Sequence, residues 1–271
     1  MRITLGLLLV LTLAIGSPVT RTRQIRRLDN CVLVPIPASA VHHAWEGKPR
    51  VRNKNGTSSN WGGYALETSL SAPQNNAVSD VKGQWTVPSV TASTSPNTYS
   101  SIWVGIDGYS DGSVEQTGTE QDWSNGHPVY YAWFEMYPKW AYQILNFPVN
   151  PGDTIATEVQ YNGNGSFKLT IVNASKNVSF STTQRLKNAR RQSAEWIVEA
   201  PSSGGTLPLA DFGTVSLLNC SATLNGATGP INNSAWQHDS ITMATSGGTV
   251  KAQPSALASS GTAFSVTWHH E

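Results

Sequence analysis

The sequence predicts an all-β protein, built as a β-sandwich or jelly roll. Only 13% of the residues are charged, about half the share in an average soluble domain, and a helical bundle would need more Glu and Lys. Glycine (23) and proline (15) are plentiful among the 271 residues, which is typical of chains with many turns. From about residue 59 onward, apolar and polar residues alternate in short runs, the period of a half-buried strand.

The first 16 residues are predicted to be a secretory signal peptide. Arg2 precedes an apolar run over 3–15, which is too short to span a bilayer as a helix, and small residues end it at Gly16. An uncleaved membrane anchor is the alternative. No later stretch is long and apolar enough for a membrane, so we expect a secreted, extracellular protein that is free of the membrane once the signal is removed.

Residues 17–58 are predicted to be a basic propeptide or linker. Residues 1–58 carry a net charge of +7, whereas 59–271 carry −6. A basic arm can pair with carboxylates at neutral pH and lose that pairing when acid protonates them. A disordered basic tail is an equal alternative. The nearly neutral chain gives no reason to expect a nucleic-acid partner. Cys31 in the arm and Cys220 in the body could form a disulfide or remain free thiols.

Residues 59–271 are predicted to be one β-sandwich domain. In 154–161, Ile155, Thr157 and Val159 alternate with polar neighbours, and 167–172 alternates in the same way. The residues between them, 162–165, read Asn-Gly-Asn-Gly and predict a turn. No helix of ten residues is predicted. Further strands are predicted at 81–87, 101–106, 114–117, 130–137, 194–199, 214–218, 240–243 and 263–268.

Several catalytic patterns are absent or out of place. Residues 108–112 fit G-x-S-x-G, but they lie in a glycine-rich loop between strands and not at a strand-to-helix elbow. The six histidines show no H-E-x-x-H spacing, and the Asp-Thr-Gly or Asp-Ser-Gly pair of the two-aspartate proteases is missing. We therefore predict neither a His-based triad nor a zinc site.

Carboxylates alternate with aromatic residues on two predicted strands. Glu195 and Glu199 share one face of 194–199, about 13 Å apart from strand rise alone. Trp133, Glu135 and Tyr137 share a face of 130–137. Each glutamate alone could be an ordinary surface residue. Together they suit either a protein that acts on or binds carbohydrate, or a protease that activates water with a carboxylate.

Six short motifs, taken in order, resemble the glutamic peptidases (family G1, the eqolisins). The resemblance extends from residue 59 to the C-terminus. It implies a concanavalin A-like sandwich of two antiparallel sheets, made as a secreted preproenzyme, with acid endopeptidase activity that needs no metal or cofactor. The motifs are SNWGGY at 59–64, WTVP at 85–88, WVGIDG at 103–108, QTG at 116–118, AWFEMYP at 132–138 and AEWIVE at 194–199.

The resemblance also assigns roles to single residues. The catalytic glutamine of the family falls on Gln116 and the catalytic glutamate on Glu199. Cleft or substrate-binding positions fall on Trp61, Trp103, Asp107, Glu135 and Glu195. Tyr131 and Lys139 stand where the best-known members have acids, and Met136 where they have Trp, which leaves the subsite preference open.

The residue types indicate a mechanism. We hypothesise that ionised Glu199 takes a proton from a water, while the Gln116 amide holds that water and donates to the oxyanion. A free glutamate titrates near ~4.3 and histidine near ~6.5, so a glutamate base works at a more acid pH.

The expected partners are protein or peptide substrates and the protein's own basic arm, and the protein is expected to be a monomer. The arm would cover the carboxylates near Glu135, Glu195 and Glu199 until it is cut near 54–59. The alternatives are a carbohydrate-active or carbohydrate-binding sandwich that uses Glu135 and Glu199, and a secreted binding module without turnover.

Overall fold

A computed structural model describes residues 25–36 and 56–271, so the predicted signal peptide and most of the basic arm lie outside the described residues. The described residues form strands and loops, with no helix long and apolar enough to cross a membrane. The strands are β1 (Arg26–Arg27), β2 (Val32–Ile36), β3 (Thr57–Ser58), β4 (Trp61–Glu67), β5 (Val78–Thr86), β6 (Ser101–Ile106), β7 (Val114–Ser124), β8 (His127–Tyr137), β9 (Ala141–Leu145), β10 (Thr154–Tyr161), β11 (Ser166–Asn173), β12 (Val178–Arg185), β13 (Ser193–Glu199), β14 (Thr214–Leu224), β15 (Ala227–Gly229), β16 (Gln237–Ala244), β17 (Val250–Pro254) and β18 (Phe264–Trp268).

The strands form two sheets, which confirms the predicted β-sandwich. The front sheet has the spatial order β2, β9, β8, β7, β6, β13, β4, β16. The back sheet has the order β1, β12, β11, β10, β5, β14, β18, β17, β16. The first half of β16 pairs with β4 and its last residues pair with β17, so this strand joins the two sheets.

The hydrophobic core lies between the sheets and follows the alternation of the strands. On β13, Ala194, Trp196 and Val198 are fully buried in this core, and the indole N–H of Trp196 donates to the carbonyl of Lys82 at 2.8 Å. Glu195, Ile197 and Glu199 lie on the opposite face, as the sequence predicts. We call the side of the front sheet that faces away from the core the front face. It carries all the predicted dyad and cleft residues except Asp107.

Strands with strict alternation of apolar and polar residues were predicted correctly, whereas a strand that glycines interrupt was not. The predicted strands 101–106 and 154–161 match β6 and β10, and the turn between β10 and β11 has positive φ at Gly163, Asn164 and Gly165. β4 was missed because Gly62 and Gly63 interrupt its pattern. A Cβ on Gly63 would lie 2.1 Å from the Trp196 carbonyl oxygen, so the close approach of β13 requires glycine there. The other strands that were missed are β1, β2, β3, β9, β12, β15 and β17, and β7, β8, β14 and β16 are longer than predicted.

The described part of the basic arm pairs with sheet edges. β1 pairs parallel with β12, and β2 pairs antiparallel with β9 over five residues. Residues 25–36 therefore lie along one edge of each sheet. They do not cover the carboxylates near Glu135, Glu195 and Glu199, where the sequence predicted that the arm would dock. Cys31 and Cys220 are both free thiols, so the disulfide that the sequence left open does not form.

Candidate active site

Three neighbouring rows of residues cross the front face, because directly paired residues of antiparallel strands point to the same side. The first row holds Glu199 and the third holds Gln116, with Trp103 between them. The rows are Trp61, Glu199, Ser101, Glu120; then Gly63, Ile197, Trp103, Gly118, Trp133; then Ala65, Glu195, Gly105, Gln116, Glu135.

Glu199 accepts hydrogen bonds on both carboxylate oxygens. The Asn60 amide donates to Oε1 at 3.0 Å, and the indole N–H of Trp103 donates to Oε2 at 2.8 Å. The ring of Trp61 meets Trp103 edge to face, with 5.0 Å between the centroids. Glu199 is only 7% exposed, so these donors hold the carboxylate in one orientation in a setting with little water.

Gln116 is buried and oriented by a second carboxylate. Its Nε2 donates to Glu135 Oε2 at 2.6 Å. Its Oε1 is buried and has no hydrogen-bond partner among the described residues. One end of the amide is therefore fixed, while the other end can accept a hydrogen bond from a water or a substrate N–H.

The indole of Trp103 extends from the Glu199 row to the Gln116 row. Its N–H contacts Glu199, and its six-membered ring lies over Gly105, where a Cβ would come within 2.9 Å of Cζ3 and 3.2 Å of the Gln116 Cβ. A Cβ on Gly118 would lie 2.1 Å from the Ile102 carbonyl oxygen and 2.7 Å from the Trp103 Cβ. Gly105 therefore makes room for the indole, and Gly118 makes room for the backbone of β6 at Ile102 and Trp103.

Glu199 and Gln116 are separated along the sheet. Their partners on β6, Ser101 and Gly105, are four residues apart, which is about 13 Å of strand. For both groups to contact the same water molecule, the two side chains must extend toward each other across the Trp103 indole.

Asp107 fixes the start of β13, the strand that carries Glu195 and Glu199. It is fully buried, and its carboxylate accepts from the backbone N–H of Arg191 at 2.6 Å and of Gln192 at 2.7 Å. Burial, with the charge of Asp111 adding to it, raises the pKa of Asp107 to about 8 despite those two donors. This geometry makes Asp107 a positioning residue, and its contact with substrate stays a prediction.

Two more buried carboxyl groups lie near Asp107. Burial raises the pKa of Glu195 well above its usual range; the Ser193 hydroxyl opposes the rise, and Asp107, Glu67 and Asp111 add to it. Burial likewise raises the pKa of Glu115, which points into the core from β7. These groups therefore hold protons that free carboxyl groups would release.

The other predicted residues lie on the front face together. Trp61, Trp103, Glu135 and Glu195 occupy the three rows around Glu199 and Gln116, and their role as substrate contacts stays a prediction. Asn60 was not predicted as a partner of Glu199, although it lies inside the SNWGGY motif. The hydrogen bond of 2.8 Å from Tyr109 to Asp239 was not predicted either, because only the pairing of β16 with β4 brings it to this face.

The fold and the site define a class of protein: a two-sheet sandwich with carboxylates and a buried amide on one face. No group of three or more His, Cys, Asp or Glu side chains in the described part of the chain could hold a metal ion. The Peptidase A4 family model matches residues 59–268. The chain therefore belongs to this family of glutamic peptidases and is a glutamic endopeptidase, as the resemblance predicted.

Individual relatives agree with the family. Aspergillopepsin-2 of Aspergillus niger is 30% identical over 252 residues, covering 80% of this chain and 84% of the relative. A scytalido-glutamic peptidase, solved with a transition-state analogue inhibitor, superposes with a TM-score of 0.64 at 25% identity, covering 78% of this chain and 98% of that one. The aspergilloglutamic peptidase of Aspergillus niger superposes with a TM-score of 0.57 at 30% identity, covering 64% and 99%. These matches favour the peptidase over the carbohydrate-active alternative.

Proposed function

We propose that this protein is a secreted acid endopeptidase that cleaves peptide bonds with a dyad of Glu199 and Gln116. The observation that carries the proposal is the pair of complementary groups on the front face. Glu199 is a carboxylate held by two donors, and Gln116 offers a buried acceptor that has no partner among the described residues. Scytalido-glutamic peptidase, which this chain resembles, was solved with a transition-state analogue inhibitor and with a peptide-based transition-state analogue, and a similar peptide-based ligand would fit the same class of site here.

The proposed reaction uses these two groups in sequence. Glu199 takes a proton from a water, and the hydroxide attacks the scissile carbonyl carbon. Gln116 Oε1 holds that water beforehand, and the Nε2 hydrogen that is not donated to Glu135 donates to the oxyanion. The C–N bond then breaks as protonated Glu199 gives its proton to the leaving nitrogen, and the carboxylate is restored.

The neighbouring residues position the dyad. Asn60 and Trp103 each hold one oxygen of Glu199 and so fix the orientation of the proposed base. Glu135 fixes the amide of Gln116 so that its oxygen and nitrogen keep their separate roles. A carboxylate base and a neutral amide suit acid conditions, because neither role requires a group such as histidine that becomes protonated there.

The basic arm is proposed to inhibit the zymogen until it is cut near residues 54–59. Support comes from charge alone: residues 1–58 carry +7 against −6 for the remainder. In acid the carboxyl groups become protonated and the attraction weakens.

The test is release of peptides from a denatured protein across pH 2–8, after acid treatment of the full-length protein. We expect acid-dependent cleavage that survives a chelator and is lost in Glu199→Gln, with Glu158→Gln on the outer face of the back sheet as the matched control. Full activity of Glu199→Gln would contradict the dyad, and activity confined to neutral pH would contradict the acid role.

A further inference from the structure

A single segment of 12 residues closes one edge of each sheet. We call residues 25–36 the N-terminal clasp. At its start, the Arg26 N–H donates to the Asn177 carbonyl at 2.8 Å and the Leu28 N–H to the Ser179 carbonyl at 2.7 Å, which attaches β1 to β12. At its end, β2 pairs with β9 from Val32 to Ile36. Without the clasp, both edge strands would present unpaired backbone groups.

The clasp also contributes apolar side chains to both hydrophobic clusters. Leu28 and Cys31 are partly buried and pack against the core between the sheets. Ile36 is only 7% exposed and belongs to the cluster of the front face, together with Tyr131 and Trp133. Pro35 suits β2 because β2 is the outermost strand of the front sheet, and proline, which lacks an N–H, is tolerated on edge strands.

We propose that the clasp is a permanent part of the peptidase body, which stays bound by strand pairing after the chain is cut between residues 36 and 59. The clasp lies outside residues 59–268, the range that the family model matches, and no disulfide ties it to the body, because both cysteines are free. The cut enzyme is then a non-covalent pair of chains, with the N-terminal chain held along the β9 and β12 edges.

The experiment uses the full chain, with the seven residues 42–48 replaced by the recognition sequence of a site-specific protease. After cutting at neutral pH, native mass spectrometry and size-exclusion chromatography at micromolar concentration show whether the two fragments remain together. We expect a one-to-one complex. Separate elution of the N-terminal fragment would overturn the proposal.

Two variants of this cleavable chain show which contacts retain the fragment. Leu28→Asp combined with Ile36→Asp places charges at a half-buried and a buried position and should release the fragment. Val32→Asp is the matched control, because Val32 is 53% exposed, and it should leave the complex intact. Retention in the double variant would show that strand pairing holds the fragment without these two side chains, whereas release in Val32→Asp would contradict the assignment of the contacts.

Hydrogen exchange keeps the test decisive if the double variant does not fold. In the cut but otherwise unchanged protein, the amides of 141–145 and 178–179 should exchange as slowly as in the uncut protein. A tenfold or greater increase in their exchange rates after cutting would overturn the proposal. Both readouts measure binding, so they remain valid even if the proposed dyad is wrong.

Discussion

The same strands make both faces of the front sheet, but one face packs into the core and the other carries the proposed active site. On β6, Ile102 and Val104 point into the core, while Trp103 and Gly105 alternate with them and build the front face. The core face stabilises the fold by burying apolar area, at about 25 cal/mol per Å². The front face buries carboxylates and an amide, which by themselves cost stability. Substitutions of the polar side chains on the front face should therefore have their largest effects on activity or pH dependence.

Loss of the buried amide should have the largest effect. Gln116→Ala removes the proposed water acceptor and oxyanion donor, and we expect kcat/KM for a peptide substrate to fall about 10²- to 10³-fold, the cost of removing one oxyanion donor. The change also removes the hydrogen bond to the buried Glu135, at about 1–3 kcal/mol in the free energy of unfolding, so kcat/KM is compared at a temperature at which both proteins are folded. Gln160→Ala, at an exposed position of β10 on the back sheet, is the matched control. Loss of activity in both variants, or in neither, would contradict the assignment of Gln116 to the active site.

A methyl group under Trp103 should disturb both stability and activity. Gly118→Ala places a Cβ against the Ile102 carbonyl and the Trp103 Cβ, so strand β7 or the indole must move. We expect a loss of about 1–3 kcal/mol in the free energy of unfolding, the usual cost of overpacking, together with lower kcat/KM. Gly112→Ala is the control, because nothing lies within 4 Å of its added Cβ. Equal stability of the two variants in chemical denaturation would show that the indole is not held as described.

The buried carboxyl groups should make the protein more stable in acid than at neutral pH. The pKa of Asp107 is raised to about 8, above the ~3.9 of a free aspartate, so the folded state keeps a proton that the unfolded chain loses. The resulting stabilisation is fully present below about pH 4 and is lost as the pH rises toward 8. Glu115 and Glu195 shift in the same direction. Each such proton contributes a slope of up to about 1.4 kcal/mol per pH unit.

Glu195→Gln sharpens that prediction, because a neutral amide resembles the protonated acid. The free energy of unfolding, measured by denaturation from pH 4 to 8, should fall less steeply in this variant than in the wild type. The two proteins should differ least at pH 4. A wild-type stability that rises with pH over this range would contradict the raised pKa values.

The smallest effect is expected on the outer face of the back sheet. Glu158 pairs with Lys82 at 2.9 Å, and both side chains are about a third or more exposed. Glu158→Gln should change the free energy of unfolding by less than about 1 kcal/mol, as is usual for exposed ion pairs, and should leave kcat unchanged. A larger loss of unfolding free energy would mean that this ion pair is important for stability, and a lower kcat would mean that carboxylates outside the front face contribute to function.

Local pattern was sufficient to predict much of the fold and some of the site. Alternation placed Glu195 and Glu199 on one face of β13 and gave the bounds of β6 and β10. It could not predict that β13 inserts between β4 and β6, because that arrangement depends on pairing between segments far apart in the sequence. For the same reason the bond from Asn60 to Glu199 and the indole bridge of Trp103 appear only in the structure.

The proposed dyad is tested most directly by a double-mutant cycle on Glu199 and Gln116. The kcat/KM values of Glu199→Gln, Gln116→Ala and the double variant are measured at acid pH on one peptide substrate. If both side chains act on one water over the Trp103 indole, the double variant should be no worse than Glu199→Gln alone, because residues that act as a unit are strongly non-additive. Losses that multiply in the double variant would show that the two residues act independently.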